Sequence, residues 1–159
     1  MTALDPGAPR PAGFLGKLLS AEPTDVGLFV EAALVLGLAR VALAVTSLAT
    51  VVDALAALSK ALRATSDSRP EDPRRAAWAV DAASGRLGGR CLLRSVALQA
   101  LLARRGLPSE ICVAFRPQEQ PLPGHAWVEV HGRPLGADGR AALAEHPSPY
   151  EILRRLPGA

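Results

Sequence analysis

The sequence predicts an α+β fold, with helices first and a small antiparallel sheet after them. Three observations carry this. Residues 26 to 63 contain no proline and are dominated by alanine and leucine. A second helical run, from Cys91 to Arg105, is closed by Gly106. Two later segments, Glu110 to Arg116 and His125 to Val130, hold β-formers in alternation. The order implies one helix packed on the sheet, preceded by a helical N-terminal region.

Residues 1–22 are rich in Pro, Gly and Ala and read as a flexible tail, with a short helical piece near Leu15–Leu19. Residues 23–66 form the helical region. Pro23-Thr24-Asp25 marks its start, with Thr24 or Asp25 as the N-cap, and a break is expected near Thr46 to Thr50. The region is apolar enough to raise the question of a membrane. Glu31, Arg40 and Asp53 interrupt it and leave Val41 to Val52 as the longest uncharged piece. A spanning helix needs about 20 apolar residues, so a buried or partner-facing helix is expected, with surface association left open. Ala64 to Asp72 is a polar linker holding Pro70.

Residues 71–159 carry the chemistry. Asp72-Pro73 is an N-cap followed by proline at the first helical position, and that helix is expected to stop near Ser84-Gly85. Gly88-Gly89 frees the backbone just before the Cys91 helix. Leu107-Pro108 turns the chain into the first strand, and the proline-rich residues 117–123 form a loop. In the second strand His125, Trp127 and Glu129 share one face. His131-Gly132 makes a tight turn into a short strand at Arg133 to Leu135.

Apolar residues make up 49% of the 159-residue chain and aromatics only 4%, so one domain with an Ala, Leu and Val core is expected. The net charge of +3 is carried almost wholly by arginine; Lys17 and Lys60 are the lysines. That is the composition of a GC-rich bacterial genome rather than of a nucleic-acid-binding surface. Paired arginines at Arg74-Arg75, Arg104-Arg105 and Arg154-Arg155 each lie near an expected helix end and read as solvated faces. The residues from Met1 to Gly13 include three prolines and no apolar core, so no signal peptide is expected, and a reducing cytoplasm is the expected setting. Cys91 and Cys112 make no disulfide framework, and with three histidines they offer no pair at metal spacing.

Cys91 stands at a helix start. Unpaired backbone N–H groups there stabilise a thiolate, and Arg90 and Arg94 add positive charge. The same donors can hold the oxyanion of a tetrahedral intermediate, worth about 3–4 kcal/mol per donor. Most free cysteines are instead small buried hydrophobes, and Cys112, alternating with Ile111 and Val113 in a strand, reads that way. His125 opens a strand at a sheet end, where it can face a helix N-terminus. Asp138, in a Gly-Ala-Asp-Gly turn, is the natural carboxylate to orient it. Glu129 is the rival, but four residues along a strand is about 13 Å, beyond reach of the ring. Trp127 and Arg94 are candidates to contact substrate, and His131 and His146 sit in turn and loop contexts.

These residues resemble a known family. Cys-Leu-x-Arg-Ser-x-Ala-Leu-Gln-x-Leu-Leu-x-Arg-Arg-Gly from Cys91 to Gly106, followed by His-Ala-Trp-Val-Glu-Val from His125 to Val130, resembles the transglutaminase-like cysteine peptidases of lasso-peptide biosynthesis. The separations from Cys91 to His125 and from His125 to Asp138 fit that family as well, and the likeness covers about residues 74 to 155. Where the family commonly has Asp-Gly after the strand, this chain has His131-Gly132.

The resemblance implies a papain- and transglutaminase-like core, with 71–159 as the peptidase domain. It implies removal of the leader from a ribosomally made precursor, with Cys91 as nucleophile, His125 as base and Asp138 as orienting acid. It implies no cofactor. The partners it implies are the precursor peptide, a separate small leader-recognition protein and an ATP-dependent macrolactam cyclase. Acyl transfer by the same triad, or a non-catalytic scaffold that docks partners on the apolar helices, are the alternatives.

Overall fold

The computed structural model describes residues 23–63, 72–88, 90–115, 124–136 and 151–157. Helix α1 (Pro23–Val45) begins on the proline itself. Proline suits the first helical position, since its φ is already helical and its missing N–H would have been unpaired there. Thr24 and Asp25 therefore lie inside the first turn instead of capping it, and Asp25 receives the guanidinium of Arg75. The chain breaks at Thr46 and Ser47. The Ser47 hydroxyl then accepts the Thr50 N–H at 3.3 Å, capping helix α2 (Leu48–Arg63).

Helix α3 (Pro73–Leu87) starts as expected, with the Asp72 carboxylate accepting the Arg74 N–H at 2.9 Å. It runs past the expected stop at Ser84-Gly85. A glycine inside a helix costs only about 1 kcal/mol, and the left-handed residue that ends the helix is Gly88, at φ 68°. Helix α4 (Cys91–Arg104) closes as expected around Gly106, with Leu107 N–H returning to the Leu102 carbonyl at 3.0 Å.

Four antiparallel strands follow: β1 (Glu110–Phe115), β2 (Gly124–Val130), β3 (Arg133–Leu135) and β4 (Glu151–Pro157), in the order β3-β2-β1-β4. His131 and Gly132 both take positive φ, 51° and 71°, in the turn that joins β2 to β3. That is the left-handed pair a two-residue hairpin needs. Strand β4 was not expected. Its arginine pair and apolar spacing resemble a helix end, yet it lies along β1, with Leu156 opposite Ile111. Arg154-Arg155 therefore sits in an edge strand. The architecture is α+β, with a helical N-terminal region ahead of a small antiparallel sheet.

Helix α4 is the centre of the packing. Every residue from Ser95 to Ala103 is buried, and the helix packs against α1, α2, α3, β1 and β2. One apolar cluster joins Leu36 and Val51 of the N-terminal helices to Leu101, Leu102, Ile111 and Val128.

Helix α1 contributes Leu28, Ala32, Leu36 and Ala39 to that cluster at helical spacing. Its opposite face shows Val30, Leu34, Leu38, Val41 and Val45 to solvent. The helix is long and apolar enough to cross a membrane. The charges expected to interrupt it are instead used sideways. Glu31 pairs with Arg104 and Arg105 at 2.9 and 2.8 Å, and Arg40 donates to the Leu87 carbonyl at 3.0 Å.

A single buried amide ties the sheet edge to this helix. Gln99 Nε2 donates to the Leu156 carbonyl at 2.9 Å and to the Ser109 carbonyl at 3.3 Å. Gln99→Leu keeps the volume and removes both bonds, leaving buried carbonyls unpaired. The expected loss of unfolding free energy, measured by urea denaturation, is about 1–3 kcal/mol. An unchanged midpoint would show that β4 does not depend on this bond.

Candidate active site

Cys91 is the first residue of α4 and is half-buried. The preceding residue, Arg90, has extended backbone (φ −74°, ψ 161°), and its side chain makes no capping bond. The first turn therefore keeps its N–H groups for whatever sits at its end. His125, one residue into β2, reaches this point. Its hydrogen bond to the thiol is the main reason the Cys91 pKa falls below the ordinary 9.0. Burial works in the opposite direction, while the Ala126 and Leu92 backbone N–H groups and the charge of His125 add to the lowering. The structure thus brings together two residues that lie a helix, a strand and a loop apart in sequence.

The His125 ring is held from behind. Trp127 stacks on it, with centroids 6.1 Å apart and planes 26° from parallel. Trp127 is itself buried, and its Nε1–H donates to Glu129 Oε1 at 3.0 Å. Glu129 Oε2 accepts from Arg155 at 2.7 Å. Burial alone would raise the Glu129 pKa; the bonds from Arg155 and Trp127 outweigh it and hold the carboxyl below its usual range. Glu129 is therefore committed to Trp127 and Arg155, in keeping with its distance from the ring.

Arg94, one turn beyond Cys91, is mostly buried and pairs with Asp81 of α3. Neither Trp127 nor Arg94 turns a broad open face to solvent; both line one narrow cleft. Cys112 is fully buried beside Trp127, and burial, reinforced by the charge of Glu129, pushes its thiol up to about 12. His131 serves the β2–β3 turn. Asp138 and His146 lie outside the described residues.

Sequence reasoning missed two supporting groups. Arg155 sits in the unexpected strand, so its reach to Glu129 carried no local signal. Asp81 lies on the inward side of a helix that reads as amphipathic, and only the packing of α3 on α4 reveals its partner.

A family model described as the transglutaminase-like superfamily matches residues 33–148, well over half of the chain, and spans Cys91, His125 and position 138. A search of curated proteins and one of solved structures find no match.

The depressed thiol gives a direct test. A group whose folded pKa is lowered is charged over a wider pH range, so Cys91 alkylation by iodoacetamide should titrate with a midpoint below 9.0. The thiolate's contribution to stability is fully present above the ordinary thiol value and is lost as pH falls through the folded one. Cys112 should stay unlabelled in the native protein. His125→Ala should move the Cys91 midpoint upward. A wild-type midpoint at or above 9.0 would remove His125 from the thiol's activation.

Proposed function

The chain belongs to the transglutaminase-like superfamily, and from that premise we propose that it is a cysteine peptidase that removes the leader from a ribosomally made lasso precursor. The observation that carries the reading is the hydrogen bond from His125 to a pKa-lowered thiol at a helix start. The motif likeness from Cys91 to Gly106 and from His125 to Val130 supplies the substrate class.

The chemistry follows from the geometry. Cys91 thiolate attacks the carbonyl carbon of the last leader residue, forming a C–S bond, and negative charge moves to the oxygen. The N–H groups at the α4 terminus are donors suited to that charge. Collapse breaks the C–N bond, and protonated His125 delivers its proton to the departing amine, the new N-terminus of the core peptide. Water then attacks the thioester with His125 taking its proton, releasing the leader carboxylate and the thiolate. Asp138 is the proposed orienting acid. Strand β3 ends at Leu135, three residues short of it, and Leu135 pairs with Val128, three residues from His125. The assignment rests on the spacing of Asp138 from His125 in the motif likeness.

Two alternative readings meet the same facts differently. A scaffold requires no activated thiol, so the lowered Cys91 pKa weighs against it. Acyl transfer would use the same thioester and pass it to an amine, a difference that lies in the acceptor and is read in the product. The proposed setting is the cytoplasm. A small leader-recognition protein would present the precursor, and an ATP-dependent cyclase would consume the freed amine.

Mass spectrometry of a precursor from the neighbouring reading frames, incubated with this protein and the leader-recognition protein, tests the proposal. Two fragments are expected, with none when Cys91→Ala replaces wild type. A crosslinked or amidated product would favour acyl transfer, and an intact precursor beside a normally reactive Cys91 would sink the peptidase reading.

Asp138→Asn should lower kcat by about 10⁴-fold, as loss of the orienting carboxylate does in other triads, while alkylation of Cys91 at high pH continues. An unchanged kcat would take Asp138 out of the mechanism.

A further inference from the structure

Helix α3 and strand β3 enclose an open groove of about 510 Å³, lined by Arg74, Ala77, Trp78 and Asp81 on one side and Pro134, Leu135 and Gly136 on the other. Three features separate it from an ordinary surface fold. Trp78 is 49% exposed, in a chain with only two tryptophans. Tryptophan is enriched at the centres of recognition sites. Arg74 lies one turn before Trp78, on the same side of α3. It is exposed and makes no ion pair among the described residues, whereas Asp81 is paired with Arg94. Among the described residues, the groove therefore sets the positive charge of Arg74 beside an apolar floor of Trp78, Pro134 and Leu135, with no described carboxylate paired to it.

The groove also adjoins the helix that bears the thiol. Asp81, Leu135 and Gly136 are shared with the narrow cleft bordered by Arg94 and Trp127. Arg94 is one turn, about 5 Å, from Cys91, and the Trp127 ring lies on His125.

We propose that this groove is a substrate subsite that takes a bulky apolar side chain next to an aspartate or glutamate of the peptide. Trp78 packs the apolar group, and Arg74 receives the carboxylate. The proposal rests on the peptidase reading for the source of its ligand, but the groove binds with or without turnover, and the two are tested apart.

Immobilised Cys91→Ala protein is offered a library of N-acetylated, C-amidated octapeptides randomised at every position. Retained peptides are identified by mass spectrometry. Enrichment of Leu, Met, Phe or Trp beside Asp or Glu is expected. Trp78→Ala in the same background should reduce the apolar enrichment by about tenfold or more, the scale of a buried aromatic contact. Arg74→Glu should turn the acidic preference into a basic one. Both positions are exposed, so the fold should tolerate these changes, and circular dichroism melts check that it does. No enrichment, or an enrichment that both variants leave unchanged, overturns the subsite. The retained peptides are then given to wild-type protein. Capture without cleavage would count against the peptidase reading and leave the groove standing. Cleavage of peptides whose capture ignores Trp78 and Arg74 would do the reverse.

Discussion

The thiol at position 91 stays in place because the helix behind it has no free side. Residues 95–103 of α4 are buried without interruption, against three other helices and two strands. A helix so enclosed cannot roll or slide without opening cavities on several sides at once, each costing kilocalories. Its N-terminus is therefore a fixed point. The contact of a thiol with an imidazole is held by packing rather than by a local device such as a side-chain cap. The N-terminal helices belong to this logic. Leu28, Leu36 and Val51 fill the side of α4 that the sheet does not cover, so they share one core with the strands that carry His125.

The second half of the pair is fixed differently. His125 stands near the end of a strand, where backbone pairing alone leaves a ring free to turn. The restraint comes from its own sheet face. Trp127 lies against the ring, Glu129 holds the indole N–H, and Arg155 of β4 holds Glu129. Arg155 also donates to the Cys112 sulfur at 3.3 Å and to Glu110 at 3.4 Å. The arrangement spans β1, β2 and β4, so the edge strand farthest from α3 bears on the orientation of the histidine. It also accounts for the contrast between the two cysteines. Both are at least half-buried, but only Cys91 has hydrogen-bond donors aimed at its sulfur that outweigh desolvation; Cys112 has a carboxylate nearby and moves the other way.

The parts of this fold that local chemistry dictates were legible in the sequence. The proline-free helices, the glycine end of α4, the alternation in β1 and β2 and the His131-Gly132 hairpin each follow from period or turn preference. Cys91 and His125 were legible as a pair because a thiol at a helix start and an imidazole at a strand start are positions defined by element ends. What escaped was set by tertiary contact. Strand β4 carries a helix-like spacing, and its identity comes from pairing with β1, a long-range event with no local signature. The charges of α1 read as interruptions because their partners, Arg104, Arg105 and the Leu87 carbonyl, lie far along the chain. Trp127, a candidate substrate contact in the sequence, is buried and lies against the His125 ring, a placement that only the fold reveals.

The arginines show how one composition serves two ends. Read as a tally, they suggested solvated faces. In the structure most of those with assigned partners cross between elements: Arg75 to Asp25 joins α3 to α1, Arg94 to Asp81 joins α4 to α3, Arg104 and Arg105 to Glu31 join α4 to α1, and Arg155 joins β4 to β1 and β2. Partly exposed pairs of this kind add only about 0–1 kcal/mol each, so their value lies in register. An apolar interface of alanine and leucine tolerates sliding by a turn, and a charge pair at its edge does not. The planar guanidinium suits that task better than an ammonium, since it offers several donors in one plane to a carboxylate. Arg74 differs from its neighbour Arg75 in this respect: the guanidinium of Arg75 is consumed in holding α3 to α1, and that of Arg74, on the preceding residue, lines the groove between α3 and β3.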